Sequence, residues 1–290
     1  MKYIDKIYGE FELSGVIKEL ILTSSFQRLK KIHQGGPIFL INPQVNQTRF
    51  EHSIGVMLLI KKLGGNIKEQ IAGLIHDISH TAFSHLIDYV LEIEEEDYHE
   101  KRYEKVLQNQ EIINILKQYG FEVSEFLDLE QYPILEYPLP NLSADRIDYT
   151  LRDLFQIEHI SEEEINTFLE GLQVFENRIV LKSDQYARWF QSKYNFLVTD
   201  YFEAKDNVEI NIIMKKIIKE CMKKGTVEIS DFHEDDFYLI EKINQSLNLK
   251  KRIAEIRQEE LEHKKLKTKN RSVDPEILID KSVVKLSALN

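Results

Sequence analysis

Three short runs in this sequence carry side chains that bind divalent metals: Arg49-Phe50-Glu51-His52-Ser53, then His76-Asp77-Ile78-Ser79-His80-Thr81-Ala82-Phe83-Ser84-His85, and further on Asp145-Arg146-Ile147-Asp148-Tyr149. The adjacent His76 and Asp77 supply a neutral imidazole and a hard carboxylate from one helix. His52 and Asp145 can complete a nitrogen and oxygen shell around the ion, leaving open positions for water. Such an ion beside cationic side chains is equipment for hydrolysing phosphate esters. A His-Asp dipeptide alone is common by chance, and a single histidine often packs in a core. That blander account weakens because five of the nine histidines, at 52, 76, 80, 85 and 99, fall within fifty residues among well-patterned helices.

The elements that must position these groups read as helices. Ile71, Leu74, Ile75 and Ile78 recur at i, i+3, i+4 and i+7, which at roughly 100° per residue forms one apolar stripe and predicts a helix over 67–80. His76, Asp77 and His80 then share the opposite face, where Gly73 permits close approach by a helix or ligand. Asp145, Asp148, Tyr149 and Arg152 recur at 0, 3, 4 and 7 on one face of a helix over 143–154, with Leu151 and Leu154 on the other. Tyr149 and Arg152 taken alone suit ordinary surface packing; register with Asp145 favours a site role for Tyr149. Further helices are expected near 13–33, 49–63, 82–92, 98–118, 161–170, 184–205, 207–223, 233–247 and 250–268. Short strands are expected at 37–41 and as a hairpin over 172–182 turning at Asn177, with a proline-bearing loop over 128–141. The fold class is mainly α with a few short strands or a β-hairpin.

The motifs stand in a fixed order: Phe26-Gln27-Arg28-Leu29-Lys30, Ile32-His33-Gln34-Gly35-Gly36, Arg-Phe-Glu-His-Ser, His-Asp-x-x-His-x-x-Phe-Ser-His, His99-Glu100 and Asp-Arg-x-Asp-Tyr. This ordered set resembles the HD-domain superfamily, and within it the deoxynucleoside triphosphate triphosphohydrolases, over roughly residues 1 to 205. The resemblance implies an HD-type helical core over 1–205 and a helical C-terminal extension, 206–290, packed on it. It implies that His52, His76, Asp77 and Asp145 bind one divalent metal (Mn, Fe, Mg, Co, Ni or Zn), with Mg on the substrate phosphates as an option. His80, His85 and His99 would line the phosphate path, one such histidine acting in proton transfer and held by an acidic residue, as Asp88 is placed to hold His85. Arg49, Tyr149, Asp153, Lys193 and Tyr201 match positions that hold phosphates, sugar or base, and Gln34 one near the deoxyribose. The implied reaction converts a nucleoside triphosphate to nucleoside and tripolyphosphate, in a homo-oligomer.

Chemistry explains the residue types. Cationic side chains neutralise charge developing on the phosphoryl group, and histidine suits proton transfer near neutral pH. The acidic run Glu92, Glu94, Glu95, Glu96 and Asp97 either favours a protonated His99 or forms a solvated charged face.

Departures from the family pattern bear on substrate and regulation. Leu22-Thr23-Ser24 stand where nucleotide-regulated members carry Asp-Thr-Pro, and Lys30 replaces an Arg. Leu197 occupies a family His position, and Lys193 exchanges a bidentate Arg for a point charge. The stretch between His99 and Asp145 is also short. No activator site of the usual kind is therefore expected, and the alternatives are another HD phosphohydrolase, such as a nucleoside monophosphatase, or a nucleotide sensor without turnover.

Composition bounds the rest. A 290-residue chain that is 42% apolar can build a sizeable core. With 49 acidic against 38 basic residues its net charge is −11, which argues against nucleic-acid binding by the whole surface. The local exception is Lys250 to Arg271, with nine basic residues against four Glu; a solvated amphipathic helix is the usual form of such a segment, and phosphate, nucleic-acid or subunit binding the other reading. The longest apolar run, Val56 to Ile60, is far short of the roughly twenty residues that span a bilayer, and no signal-peptide region is evident. Cys221 is the single cysteine, so no internal disulfide forms. A cytoplasmic location is expected.

Overall fold

Polar caps and left-handed turns divide this chain into short helices. The computed structural model describes residues 1–258 and 271–289. A hairpin of β1 (Lys2–Asp5) and β2 (Gly9–Glu12) leads into α1 (Gly15–Leu22) and α2 (Ser24–Arg28), followed by 3-10 turns at Leu29–Lys31 and Gly36–Leu40. Next come α3 (Arg49–Lys62), α4 (Ile67–Ile75), α5 (Leu86–Leu91), α6 (Tyr98–Leu107) and α7 (Gln110–Gln118). After a proline-rich loop follow α8 (Ala144–Gln156), α9 (Glu162–Glu170), β3 (Leu172–Phe175), β4 (Arg178–Leu181) and α10 (Asp184–Phe196), which runs into a π turn at Leu197–Phe202. The chain continues through α11 (Lys205–Lys223), α12 (Asp236–Asn244), α13 (Leu249–Gln258), β5 (Glu276–Ile279) and β6 (Ser282–Lys285). The class is mainly α, as the periodicity predicts.

The centre is α3. Thr48 and Glu51 form a reciprocal capping box at its start, satisfying amides a helix N-terminus otherwise leaves free. From Ile54 to Ile60 every residue is buried, so α3 is covered all round, by α4, α8 and the Leu29–Lys31 turn. Each fully buried Leu, Ile or Met there contributes about 1.5–3 kcal/mol. Gly73 is where α4 meets α3, since a Cβ there would stand 2.5 Å from Ile60 Cδ1; the close neighbour expected at this glycine is a helix. A second apolar cluster forms where Ile210, Ile213, Met214 and Ile217 of α11 pack on Ile38, Phe83, Leu86 and Ile87.

Several elements depart from the sequence reading. The helix expected over 67–80 ends at Ile75, with His76 as its C-cap, so the His-Asp motif sits in a turn rather than on a helix face. Phe83 and Ser84 both have left-handed backbone, φ 57 and 54, which delays α5 to Leu86. The helix expected over 98–118 is two, because Asn109 accepts from Glu111 N and caps α7. The span 37–41 is a 3-10 turn with Pro37 in its first positions, and the helix expected over 184–205 gives way to the π turn. The hairpin at 172–182 forms, but so do two that were not expected, β1–β2 and β5–β6. The latter completes a sheet of order β3-β4-β5-β6, joined by a parallel pairing of Leu181 with Ile277; the segment after α11 is thus not wholly helical. Among the described residues no helix is long and apolar enough to cross a membrane. Of the basic segment, residues 259–270 lie outside the described residues; before them Arg252 pairs with Glu220 and Glu255, and Arg257 with Asp206 and Glu209.

Candidate metal centre

Two imidazoles and two carboxylates converge from three elements. His52 lies one turn into α3, Asp145 in the first turn of α8, and His76 and Asp77 directly after α4. His76 Nδ1 donates to Gly73 O at 2.8 Å, so in the neutral ring Nε2 carries the lone pair; burial lowers the proton affinity of this imidazole, but Asp77 and Asp145 outweigh it and raise it. His52 Nδ1 lies 2.8 Å from Asp148 Oδ2, the same oxygen that accepts from Arg152 Nε at 2.7 Å, and Arg152 Nη2 donates to Asp5 Oδ2 at 2.7 Å. This buried chain from the first hairpin through α8 orients the His52 ring, as outer partners of metal-ligating histidines do.

The donor set calls for a cation. His52, His76 and Asp77 each offer one atom, all within 4.8 Å of one another. Asp145 Oδ1 lies 3.0 Å from His52 Nε2 and 3.6 Å from His76 Nε2. His76 Nε2 is buried without a hydrogen-bond partner, an arrangement that costs free energy unless a ligand satisfies it. His52 is pushed up to about 9: burial opposes, but Asp145 and Asp148 outweigh it, so carboxylate charge dominates. Asp77 and Asp145 are held well below the usual carboxylate range; burial opposes, and Arg49 and the histidines prevail for Asp77, His52 and His76 for Asp145. A divalent ion of mixed nitrogen and oxygen preference fits these four residues; when bound, it withdraws charge from a phosphoryl oxygen and acidifies water.

Three more histidines stack beside it. The His80 and His99 rings are 3.9 Å apart and nearly parallel, and His85 meets them edge-on at 5.0 and 5.2 Å. Burial lowers all three: His80 well below its ordinary value, with Arg49 and the neighbouring imidazoles adding, and His85 and His99 to about 3. All are therefore neutral near pH 7. The acidic run before His99 does not hold it charged; Glu92 instead pairs with Lys215 and Lys219. Asp88 Oδ2 lies 3.3 Å from His85 Nδ1, as the three-residue spacing implies. Asp77 with His80 and His99 forms a second potential ligand group, sharing Asp77 with the first.

Arg49 ties this cluster to the ligand set, with Nη1 on Asp77 Oδ2 at 2.6 Å and Nε on Ser84 Oγ at 3.0 Å. Ser84 donates in turn to His33 O at 2.7 Å, and His33 is held by buried Asp236 of α12 through N at 2.9 Å and Nδ1 at 2.7 Å. The left-handed Phe83-Ser84 pair aims Ser84 at these partners, which explains the break in the expected helix.

The residues expected to hold substrate divide. The Tyr149 and Tyr194 hydroxyls are 3.1 Å apart. Burial pushes the Asp153 carboxyl up to about 7, with His52 and Arg49 opposing, which places it beside the centre. Tyr201, in the π turn, is raised by burial and then by Asp153, and its hydroxyl is buried without a partner among the described residues. Gln34 follows His33, and its Oε1 is likewise unpartnered. Lys193 is not brought to this group: its Nζ reaches His159 O and Glu164 Oε1, both at 3.4 Å. Sequence reasoning missed Asp148 as the partner of His52, although its i+3 spacing from Asp145 was a signal. It also missed Glu136, which burial and then Asp145 push up to about 7, and for which no motif gave a signal.

Comparison with known proteins agrees with this geometry. The HD-domain family profile matches residues 49–153, a span holding all four donors. The chain is 41% identical over 300 residues to the uncharacterised protein YdhJ of Bacillus subtilis, covering 100% of this chain and 92% of that one. It is 32% identical over 232 residues to the metal-dependent phosphohydrolase cns2 of Cordyceps militaris, covering 77% and 67%. A shorter match, 40% over 99 residues, covers 29% of this chain and 16% of the deoxynucleoside triphosphate triphosphohydrolase SAMHD1 of Danio rerio. With this likeness across its length and a matching His/Asp cluster at its centre, the chain belongs to the HD-domain metal-dependent phosphohydrolases.

Proposed function

We propose that this protein hydrolyses deoxynucleoside triphosphates to nucleoside and tripolyphosphate, with His52, His76, Asp77 and Asp145 holding the divalent ion. One observation carries the reading: of the residues assigned to the substrate, His80 Nδ1, His99 Nδ1, Tyr201 OH and Gln34 Oε1 are buried without hydrogen-bond partners among the described residues. Such groups cost free energy unless a ligand meets them. Their spread, from the imidazole stack to Tyr201 and Gln34, suits a ligand with both a phosphate chain and a hydrogen-bonding nucleoside. The partial likeness to a deoxynucleoside triphosphate triphosphohydrolase supports the same class.

The side chains then have distinct tasks. Arg49, fixed by Asp77 and Ser84, offsets charge on the phosphoryl group. Asp88 accepts from His85 Nδ1 and leaves Nε2 free to exchange a proton. His80, His85 and His99 are neutral before substrate arrives, and the negative charge of a triphosphate raises their proton affinity. Protonation thus accompanies binding, and an imidazolium becomes able to protonate the departing oxygen. Tyr149, Asp153, Tyr201 and Gln34 contact sugar and base.

A panel of deoxynucleotides assayed with Mn, Mg, Fe, Co, Ni and Zn tests the reading. Triphosphates should be consumed and monophosphates spared, and His76→Ala or Asp77→Ala should remove most bound metal and turnover while the core still folds. Preferred cleavage of monophosphates would replace this reading with a phosphomonoesterase, and binding without turnover under every metal would replace it with a sensor.

A further inference from the structure

Arg271, the last residue of the basic segment that begins at Lys250, lies just before β5 and returns to the catalytic side of the molecule. Its Nη2 donates to Glu96 Oε2 at 2.9 Å, and its guanidinium lies 5.6 Å from the centre of the Phe202 ring. Phe202 in turn stands 6.5 Å, centre to centre, from Tyr149. Glu96 lies three residues before His99, and it is almost fully buried, with Oε1 lacking a hydrogen-bond partner among the described residues. Arg271 is therefore bracketed by Phe202, which stands beside Tyr149, and by Glu96 on the connection into α6, the helix that carries His99. The electrostatics agree with that place: His85 is lowered by burial first and then by Arg49, with Arg271 adding to the effect and Glu96 opposing it.

We propose that Arg271 binds the phosphate chain of the substrate as a second guanidinium, positioned by Glu96. This rests on the triphosphate reading above. Arg49 is committed to Asp77 at 2.6 Å and Lys193 reaches away to Glu164, while Arg28 and Arg102 are held on the backbone oxygens of residues 78 to 80, so among the described residues Arg271 is the guanidinium best placed to give a polyphosphate at the histidine stack a second cation. A guanidinium has five donors in a planar fork. Among the described residues Arg271 spends its hydrogen bonds on Glu96 alone, and seating on Phe202 leaves the other edge of the fork free for phosphate oxygens. Arg49 then serves the phosphorus beside the metal donors and Arg271 the distal phosphates.

The test is calorimetric binding of inorganic tripolyphosphate, with orthophosphate for comparison, to the metal-loaded full chain. Arg271→Ala should weaken tripolyphosphate about tenfold or more, from loss of a charged hydrogen-bonding group, and affect orthophosphate much less. Arg271→Lys, which keeps the charge but loses the planar fork that spans Glu96 and phosphate, should weaken it as well, and carries the test should the alanine variant not fold. Glu96→Gln keeps the acceptor that positions Arg271 and removes a charge that repels phosphate, so it should tighten tripolyphosphate. Unchanged binding in both arginine variants overturns the proposal. So does weakening in Glu96→Gln equal to that in Arg271→Ala with a matching loss of thermal stability, which makes the pair a structural clip. Turnover separates the two claims: a wild type that binds tripolyphosphate through Arg271 yet releases none from any nucleotide loses only the assigned reaction.

Discussion

Asp148→Asn tests whether the chain behind His52 sets the metal centre. Asp148 touches no proposed metal position; it accepts from His52 Nδ1 at 2.8 Å and Arg152 Nε at 2.7 Å, with no exposure to solvent. Asparagine has nearly the same shape, and because Arg152 Nε also donates to the oxygen that faces His52, its carbonyl oxygen stays at that position and keeps both hydrogen bonds. What is lost is the carboxylate charge that strengthens the Nδ1 hydrogen bond and the basicity of the His52 lone pair that faces the ion. Mutation of such an outer partner weakens metal binding about 10- to 100-fold, or about 1.4–2.7 kcal/mol. Breaking a buried ion pair outright costs about 3–5 kcal/mol, but Arg152 keeps Asp5, so the fall in stability of the metal-free chain should be smaller. Competition against a chelator gives the metal affinity, and thermal unfolding of metal-free protein gives the stability. A folded variant with metal affinity within about twofold of wild type would refute the reasoning, because His52 would then not depend on the Asp148 charge to hold the ion.

Other expectations follow from the same geometry. His99→Ala should lower turnover by about two to four orders of magnitude with metal retained; unchanged turnover returns His99 to simple packing against His80. For pH, His85 and His99 bind protons only near 3 when folded but near 6.5 when unfolded. Their contribution to stability is therefore complete above about pH 6.5 and lost as pH falls toward 3. His52, raised to about 9 in the metal-free chain, acts in the opposite sense: its contribution is complete below about pH 6.5 and lost as pH rises through 9. Urea titrations of metal-free protein across this range should give a dome, and a flat profile contradicts the burial argument. With Leu22 exposed and Lys30 over the Phe50 ring at 4.8 Å, no activator site of the usual kind is expected; turnover should be hyperbolic in one nucleotide, and stimulation by a guanine nucleotide opposes this.

The helices that carry the site were largely legible, because α3, α4 and α8 open on capping residues, α4 and α8 have clear apolar faces, and α3 is an apolar run long enough to be buried all round. The turn after α4 was not. Ile78 continues the apolar register of Ile71, Leu74 and Ile75, so periodicity alone extends the helix, whereas tertiary contacts end it: His80 O accepts from Arg28 at 2.7 Å and Ile78 O at 3.1 Å. The motif residues were recognisable by type and order even though the helical face first assigned to them does not exist. The hairpins divide by their turns. Glu176-Asn177 and Asp280-Lys281 both take left-handed backbone at both turn positions, the form that matches strand twist. Asparagine advertises that conformation and lysine does not. Arg271 was legible only in part: the basic segment that ends on it read either as a solvated helix or as a phosphate, nucleic-acid or subunit site, and its place depends on where a distant strand returns, since no local pattern encodes a parallel pairing of Leu181 with Ile277.

The most direct test of the central claim is phosphorus NMR of the products formed from a deoxynucleoside triphosphate in 18O-labelled water by the metal-loaded protein. Attack at the α-phosphorus breaks its bond to the 5′ oxygen, so tripolyphosphate should appear in equal amount to deoxynucleoside, with the label on a terminal phosphate of the tripolyphosphate and none in the nucleoside. Orthophosphate or pyrophosphate as the first labelled product, with a nucleotide left behind, would contradict the account.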